Sequence, residues 1–250
     1  MTPSRRRELD PAALAYSLNA DRLVYTITKL ERRIEERFPA AGLGRVCVRL
    51  HEIAEATVER LDRLSRPILW IRTATWVLAT VIVLGLTTML WTIISSMDLG
   101  VDTGLTVLQA LETGIQDAVY VAIGVAFLVT AENRIRRRRL LEFIRELRAI
   151  AHIVDMHQLT KDPGRLLRPV GDTESSPKRT YSRAELGRYL DYSSEMLSLT
   201  SKIAAMYAER FSDPVVLQAV DEVEALTTGL SNKIWQKIMI LDQAQELQNP

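Results

Sequence analysis

The sequence predicts an all-α membrane protein: a two-span transmembrane helical hairpin with a cytoplasmic helical bundle formed by the N- and C-terminal helices. Three observations carry that expectation. Two long apolar segments lie between Pro67 and Arg139. The second closes on four consecutive arginines, Arg136 to Arg139. Outside the two segments, apolar residues recur at threes and fours, which is the spacing of one helix face.

In the first apolar segment, Ile68 to Met97, Arg72 is the only charged residue. A helix from Thr73 to Ser96 would extend roughly 36 Å at about 1.5 Å per residue, enough to cross a hydrocarbon core of about 30 Å. Trp70, Trp76 and Trp91 stand towards its ends, where indole rings favour the headgroup region. The second segment is uncharged only from Ala118 to Ala131, roughly 21 Å and short for a crossing. The helix must therefore take in Gln116, Asp117 and Thr113, which places the spans at 73–96 and 113–133 with an outer connection over 97–112. Asp117 then lies near the outer edge of the apolar slab.

The flanks set the orientation. Arg60, Arg63, Arg66 and Arg72 precede or open the first span, and Arg134, Arg136, Arg137, Arg138, Arg139, Arg145 and Arg148 follow the second. The connection holds Asp98, Asp102 and Glu112 and no lysine or arginine. The excess of positive charge predicts a multi-pass protein of the plasma (inner) membrane with both termini cytoplasmic. The arginines at 134 and 136–139 are expected to meet anionic lipid headgroups, each contributing about 1 kcal/mol near a charged surface.

Composition narrows the function. With 32 basic and 31 acidic residues the chain carries a formal charge of +1, which argues against nucleic acid as a partner. Cys47 is the single cysteine, so no intrachain disulfide and no cysteine-based metal cluster is expected. The first residues, MTPSRRRELDPAALAY, lack the apolar core of a cleavable signal peptide.

In the N-terminal part, 1–66, Asp10-Pro11 reads as a helix start, and Leu9, Tyr16, Leu23, Ile27, Leu30 and Ile34 follow at helical spacing. One helix of about seven turns is predicted, ending by Pro39. A second carries Val46, Leu50, Ile53, Thr57, Leu61 and Leu64 on one face, and the two should pack as an antiparallel hairpin. After the transmembrane hairpin of 67–133, Leu140, Ile144, Leu147, Ala151 and Val154 continue the helix through 134–158. The segment 159–181 is broken by Pro163, Gly164, Pro169, Gly171 and Pro177 and reads as a loop, with Ser175 and Ser176 beside two basic residues. In 182–250, Ser182 and Glu185 form a capping box, and Asp213-Pro214 opens a last helix. Ser193 and Thr200 interrupt the apolar seam between them.

The candidate sites are sparse. His152 and Asp155 share a helix face, and His157 could join them on a divalent metal only if the helix ended near Asp155, since a five-residue offset is about 140°. His157 also suits the helix C-terminus, where a donor meets free carbonyls. Asp191 and Glu195 lie four apart and read as surface acids. No GxSxG, HExxH, CxxC or Gly-rich phosphate loop occurs, so neither catalysis nor a resident cofactor is expected. The outer connection also lacks the GMN loop of two-span magnesium transporters.

The expected function is an integral membrane homo-oligomer whose cytoplasmic helices form an interaction or regulatory module. Gly85, Ala122, Gly124 and Ala126 offer small surfaces for self-association in the membrane. The alternative is a homo-oligomeric cation channel, with Asp117 and Glu112 ringing the outer mouth and Thr113 and Gln116 lining the path.

Overall fold

The computed structural model describes residues 19–65, 103–164 and 181–246, together with residue 174 and a subset of residues between 73 and 94. Expectations placed on Leu9 to Tyr16, Arg66, Trp70, Arg72, Asp98, Asp102, Pro169, Gly171 and residues 175–179 fall outside the described residues. Among the described residues every regular element is a helix and none is a strand. The chain divides into two compact units. One comprises Met1–Arg63 with Leu140–Pro250, and the other Leu64–Arg139.

The first unit is built on α1 (Ala20–Arg37), α2 (Gly42–Ser65), the part of α3 (Thr103–Leu159) from Leu140 onward, α4 (Arg183–Arg210) and α5 (Pro214–Glu246). Helix α1 starts later than the sequence suggests. Asn19 is its N-cap, in an extended conformation, and its side chain accepts hydrogen bonds from the backbone N–H groups of Asp21 and Arg22. Asn19 can start the helix because a short amide side chain competes for local backbone donors. The two starts predicted in the C-terminal part form as expected. Ser182 and Glu185 close a reciprocal capping box, and Asp213 Oδ1 accepts from the N–H of Val215 and of Val216.

Helices α1 and α2 run antiparallel, as the short turn at Pro39 requires. His51 of α2 reaches back to α1, with Nδ1 2.6 Å from the Glu31 carboxylate and Nε2 3.2 Å from the Thr28 hydroxyl. Further along the pair, Ile34 packs beside Gly44. Helices α2 and α3 are also antiparallel. Gly42 lies against His157, while Arg60 donates to Glu146 at 2.9 Å and covers the Phe143 ring. Helix α4 crosses to α1 through Arg33, which holds both oxygens of Glu195. Helix α5 runs alongside α3, with Arg148 paired to Glu222 and Lys237 to Gln158.

The five elements enclose an apolar core that includes Leu30, Leu50, Leu147, Leu190 and Ile234, all fully buried. Burying one such side chain is worth about 1.5–3 kcal/mol. Thr57, Ser193, Thr200 and Thr227 are buried among them. Each donates its hydroxyl to the carbonyl four residues earlier, at 2.7 to 2.9 Å. That local bond removes the penalty of burying a hydroxyl, so the apparent interruptions in the seam are part of the core. Cys47 is fully buried, and desolvation pushes its thiol up to about 12.

The second unit contains helical residues between 73 and 94 and the first part of α3. Helix α3 begins at Thr103, ten residues before the start expected for the second span. No glycine or proline interrupts Leu105 to Thr113, and Leu105, Leu108 and Leu111 favour the helical state there.

Candidate functional site

The feature that sets the second unit apart is unburied apolar surface. Trp76, Val81, Leu84, Trp91, Ile115, Val119, Ile123 and Phe127 are each more than half exposed. On α3, Ile115, Val119, Ile123 and Phe127 recur every four residues and so share one side of the helix, which stays open. In α3 the stretch Glu112–Leu159 contains a window apolar enough to cross a membrane, and none of that window is buried. It is the one such helix among the described residues. Large contiguous apolar surfaces are rare on proteins that face only water.

The polar residues at the N-terminal end of this stretch are engaged along their own helix. Thr113 donates to the Gln109 carbonyl at 2.9 Å, and the Gln116 amide donates to the Tyr120 hydroxyl at 3.2 Å. Glu112, Thr113 and Gln116 are exposed. The side chain of Asp117 lies outside the described residues, although its backbone is helical.

At the other end stands the basic cluster. Arg134, Arg138 and Arg139 are exposed, whereas Arg136 is half-buried and bonded to Glu132 at 3.0 Å, one turn earlier. Arg137 is also half-buried. Glu132 and Arg136 stand at the i, i+4 spacing at which opposite charges meet on any helix, so spacing carries the signal for this pair.

The His152, Asp155 and His157 group is not drawn together. Helix α3 continues to Leu159, so it does not end near Asp155 as a shared ligand set required, and the five-residue offset holds His152 and His157 about 140° apart. Asp155 accepts from the Gln158 amide. Among the described residues no group of three or more His, Cys, Asp or Glu side chains is placed to hold a metal ion.

His157 does not cap its own helix either. Its ring fills the space beside Gly42, where an added Cβ would lie 2.3 Å from Cε1. The carbonyl end of α3 is met instead by Lys237 of α5, whose Nζ donates to the Gln158 carbonyl at 2.9 Å and to its side-chain oxygen. A cation from a neighbouring helix thus meets the negative end of the α3 dipole.

Burial, and then the charges of Arg45 and Lys161, hold the His157 imidazole below its ordinary value of 6.5. The unfolded chain therefore takes up this proton more readily than the folded one. Stability tied to the neutral ring is present above about 6.5 and is lost as pH falls through the lower folded value. The thermal midpoint of the bundle, followed by circular dichroism, should fall between pH 7.5 and pH 5, and His157→Gln should flatten that dependence.

Asp191 and Glu195 each take a basic partner of their own. Asp191 pairs with Arg188 at 3.4 Å, and Glu195 is held by Arg33. A groove of about 430 Å³ between the start of α4 and the end of α5 is lined by Arg183, Gly187, Arg188, Asp191, Leu241 and Asp242. Its charges are of both signs and it has no dominant chemistry. No family model, curated protein or solved structure matches the chain.

Proposed function

We propose that the protein is an integral membrane protein of the plasma (inner) membrane, with two spans, both termini cytoplasmic, and a cytoplasmic helical bundle that serves as an interaction module. The observation that carries this reading is the contrast between the two units. The bundle encloses a core that includes Leu30, Leu50, Leu147, Leu190 and Ile234, while the large apolar side chains named above in Leu64–Arg139 stay open. Lipid covers such a surface without cost, whereas water opposes its exposure by about 25 cal/mol per Å².

The charge pattern supports the orientation. Arginines cluster at 134 and 136–139, and acids occupy the connection. Within the bundle, Arg60 lies over Phe143. The two places where the chain leaves the bundle, after Arg63 and before Leu140, are thus at the same end of it. A hairpin that enters and leaves a bilayer from one side needs its flanks joined in that way.

The experiment is cysteine accessibility in intact cells, in a Cys47→Ala background. A membrane-impermeant maleimide should label Asp102→Cys without permeabilisation and Glu36→Cys only after it. Recovery of the chain in the soluble fraction, or the opposite labelling pattern, overturns the reading.

A further inference from the structure

The inner face of α5 is occupied by Val216, Val220, Val223, Leu230, Ile234 and Leu241. Its outer face is open and is not uniform. Going towards the C-terminus it presents Ala225, Thr228, Gly229, Asn232, Trp235, Gln236 and Met239, all exposed. Trp235 and Met239 are 60% and 54% exposed, one turn apart, and nothing lies within 4 Å of a Cβ built on Gly229. The stripe is bulky at one end and roomy at the other, with a polar amide at its centre.

We propose that this face binds a second copy of the chain, α5 against α5, antiparallel about a two-fold axis at Asn232. The order of the residues identifies the occupant. A two-fold places residues equally spaced on either side of Asn232 opposite one another, so Trp235, Gln236 and Met239 of one copy come level with Gly229, Thr228 and Ala225 of the other, and the reverse contacts form at the same time. Such self-complementarity is what a symmetric dimer interface requires.

The polar positions agree. The two Asn232 amides meet each other at the axis, where each offers both a donor and an acceptor, and a central polar pair fixes register. At the ends, exposed Asp221 faces exposed Gln243 of the second copy, an acceptor against an amide donor. Ile153, Met156 and Leu159 of α3 are also exposed at three-residue spacing, but that stripe is bulky throughout and has no room in it for a copy of itself.

Each Trp235 leaves on the order of 150 Å² open, and pairing removes two of them from water. One helix pair lies at the small end of specific interfaces, below about 1,200 Å², so the dimer forms reversibly. The inference rests on the reading of the bundle as an interaction module and is independent of membrane insertion.

The test is disulfide trapping of the full chain in detergent micelles, in the Cys47→Ala background. Two residues at a two-fold between helix axes about 8–10 Å apart come within disulfide reach. Asn232→Cys should give a covalent dimer on mild oxidation at several times the yield of Arg32→Cys, which is exposed on α1. Adding Gly229→Trp, which fills the open space without touching the bundle core, should cut the dimer several-fold while leaving the thermal midpoint within a degree or two. Equal yields at Asn232 and Arg32, or a dimer indifferent to Gly229→Trp, overturns the pairing. A chain that needs no detergent would defeat the membrane reading alone, and trapping would still report on the pairing.

Discussion

Replacing Tyr207 by alanine is expected to lower the thermal midpoint of the bundle by about 10 °C. Tyr207 is fully buried between α2 and α3, with its ring stacked on Phe143 at 6.2 Å and its hydroxyl 3.1 Å from Thr57 Oγ1. Truncating a buried aromatic to alanine costs about 3–5 kcal/mol, through lost contacts and the cavity left behind. In a domain of this size each kcal/mol moves the midpoint by about 2–4 °C. Tyr207→Phe supplies the contrast. It keeps the ring and removes only the hydroxyl, and Thr57 retains its bond to the Ile53 carbonyl, so the loss should be about 1 kcal/mol. Circular dichroism at 222 nm on the detergent-solubilised chain reads both. Equal effects of the two variants would mean that the ring is not packed as described.

Ile123→Arg should have a comparably large effect, but on membrane insertion rather than on the bundle. Ile123 is 61% exposed on α3 and lies midway along the span assigned to 113–133. On a surface facing water, exchanging an exposed isoleucine for arginine moves stability by less than about 0.5 kcal/mol. At the centre of a bilayer the same change costs about 2.5–3.5 kcal/mol, on the order of a hundredfold in the insertion equilibrium. The variant should accumulate in the soluble or degraded fraction, whereas Ile123→Leu should fractionate like the parent. Unchanged fractionation of Ile123→Arg would place this helix outside the hydrocarbon.

The helices were legible because their signals are local. Ser182 and Glu185 are three apart and Asp213 precedes a proline, so each cap is complete within one turn and needs no distant partner. The buried faces of α1 and α2 follow from apolar residues three and four apart, and Leu30, Ile34 and Leu50 are buried where the spacing put them. Asn19 was the local signal overlooked. An asparagine before an alanine and an aspartate is itself a helix start, and it outweighs the continuing apolar spacing behind Asp10.

The candidate site was legible only in part. The apolar run and the arginines announce themselves in sequence, since both are contiguous. What the polar residues near Glu112 engage was not, because several side chains lie within a turn of Gln116 and the bond it makes is to Tyr120. The placing of His152, Asp155 and His157 depended on where the helix ends, and it runs to Leu159. A metal set is judged by separation in space, and only the end of a helix could have brought those side chains round.

By itself the sequence determined the helical class, the faces that must be buried, the caps, and the segregation of apolar from charged segments. These depend on periodicity and on interactions that close within a turn. The tertiary structure alone decided that His51 joins Glu31, that His157 fills the space at Gly42, and that Lys237 rather than His157 meets the end of α3. Each of those contacts joins residues on different helices. The physical reason is that packing sets which side chains meet across helices, and no spacing along one chain encodes that choice.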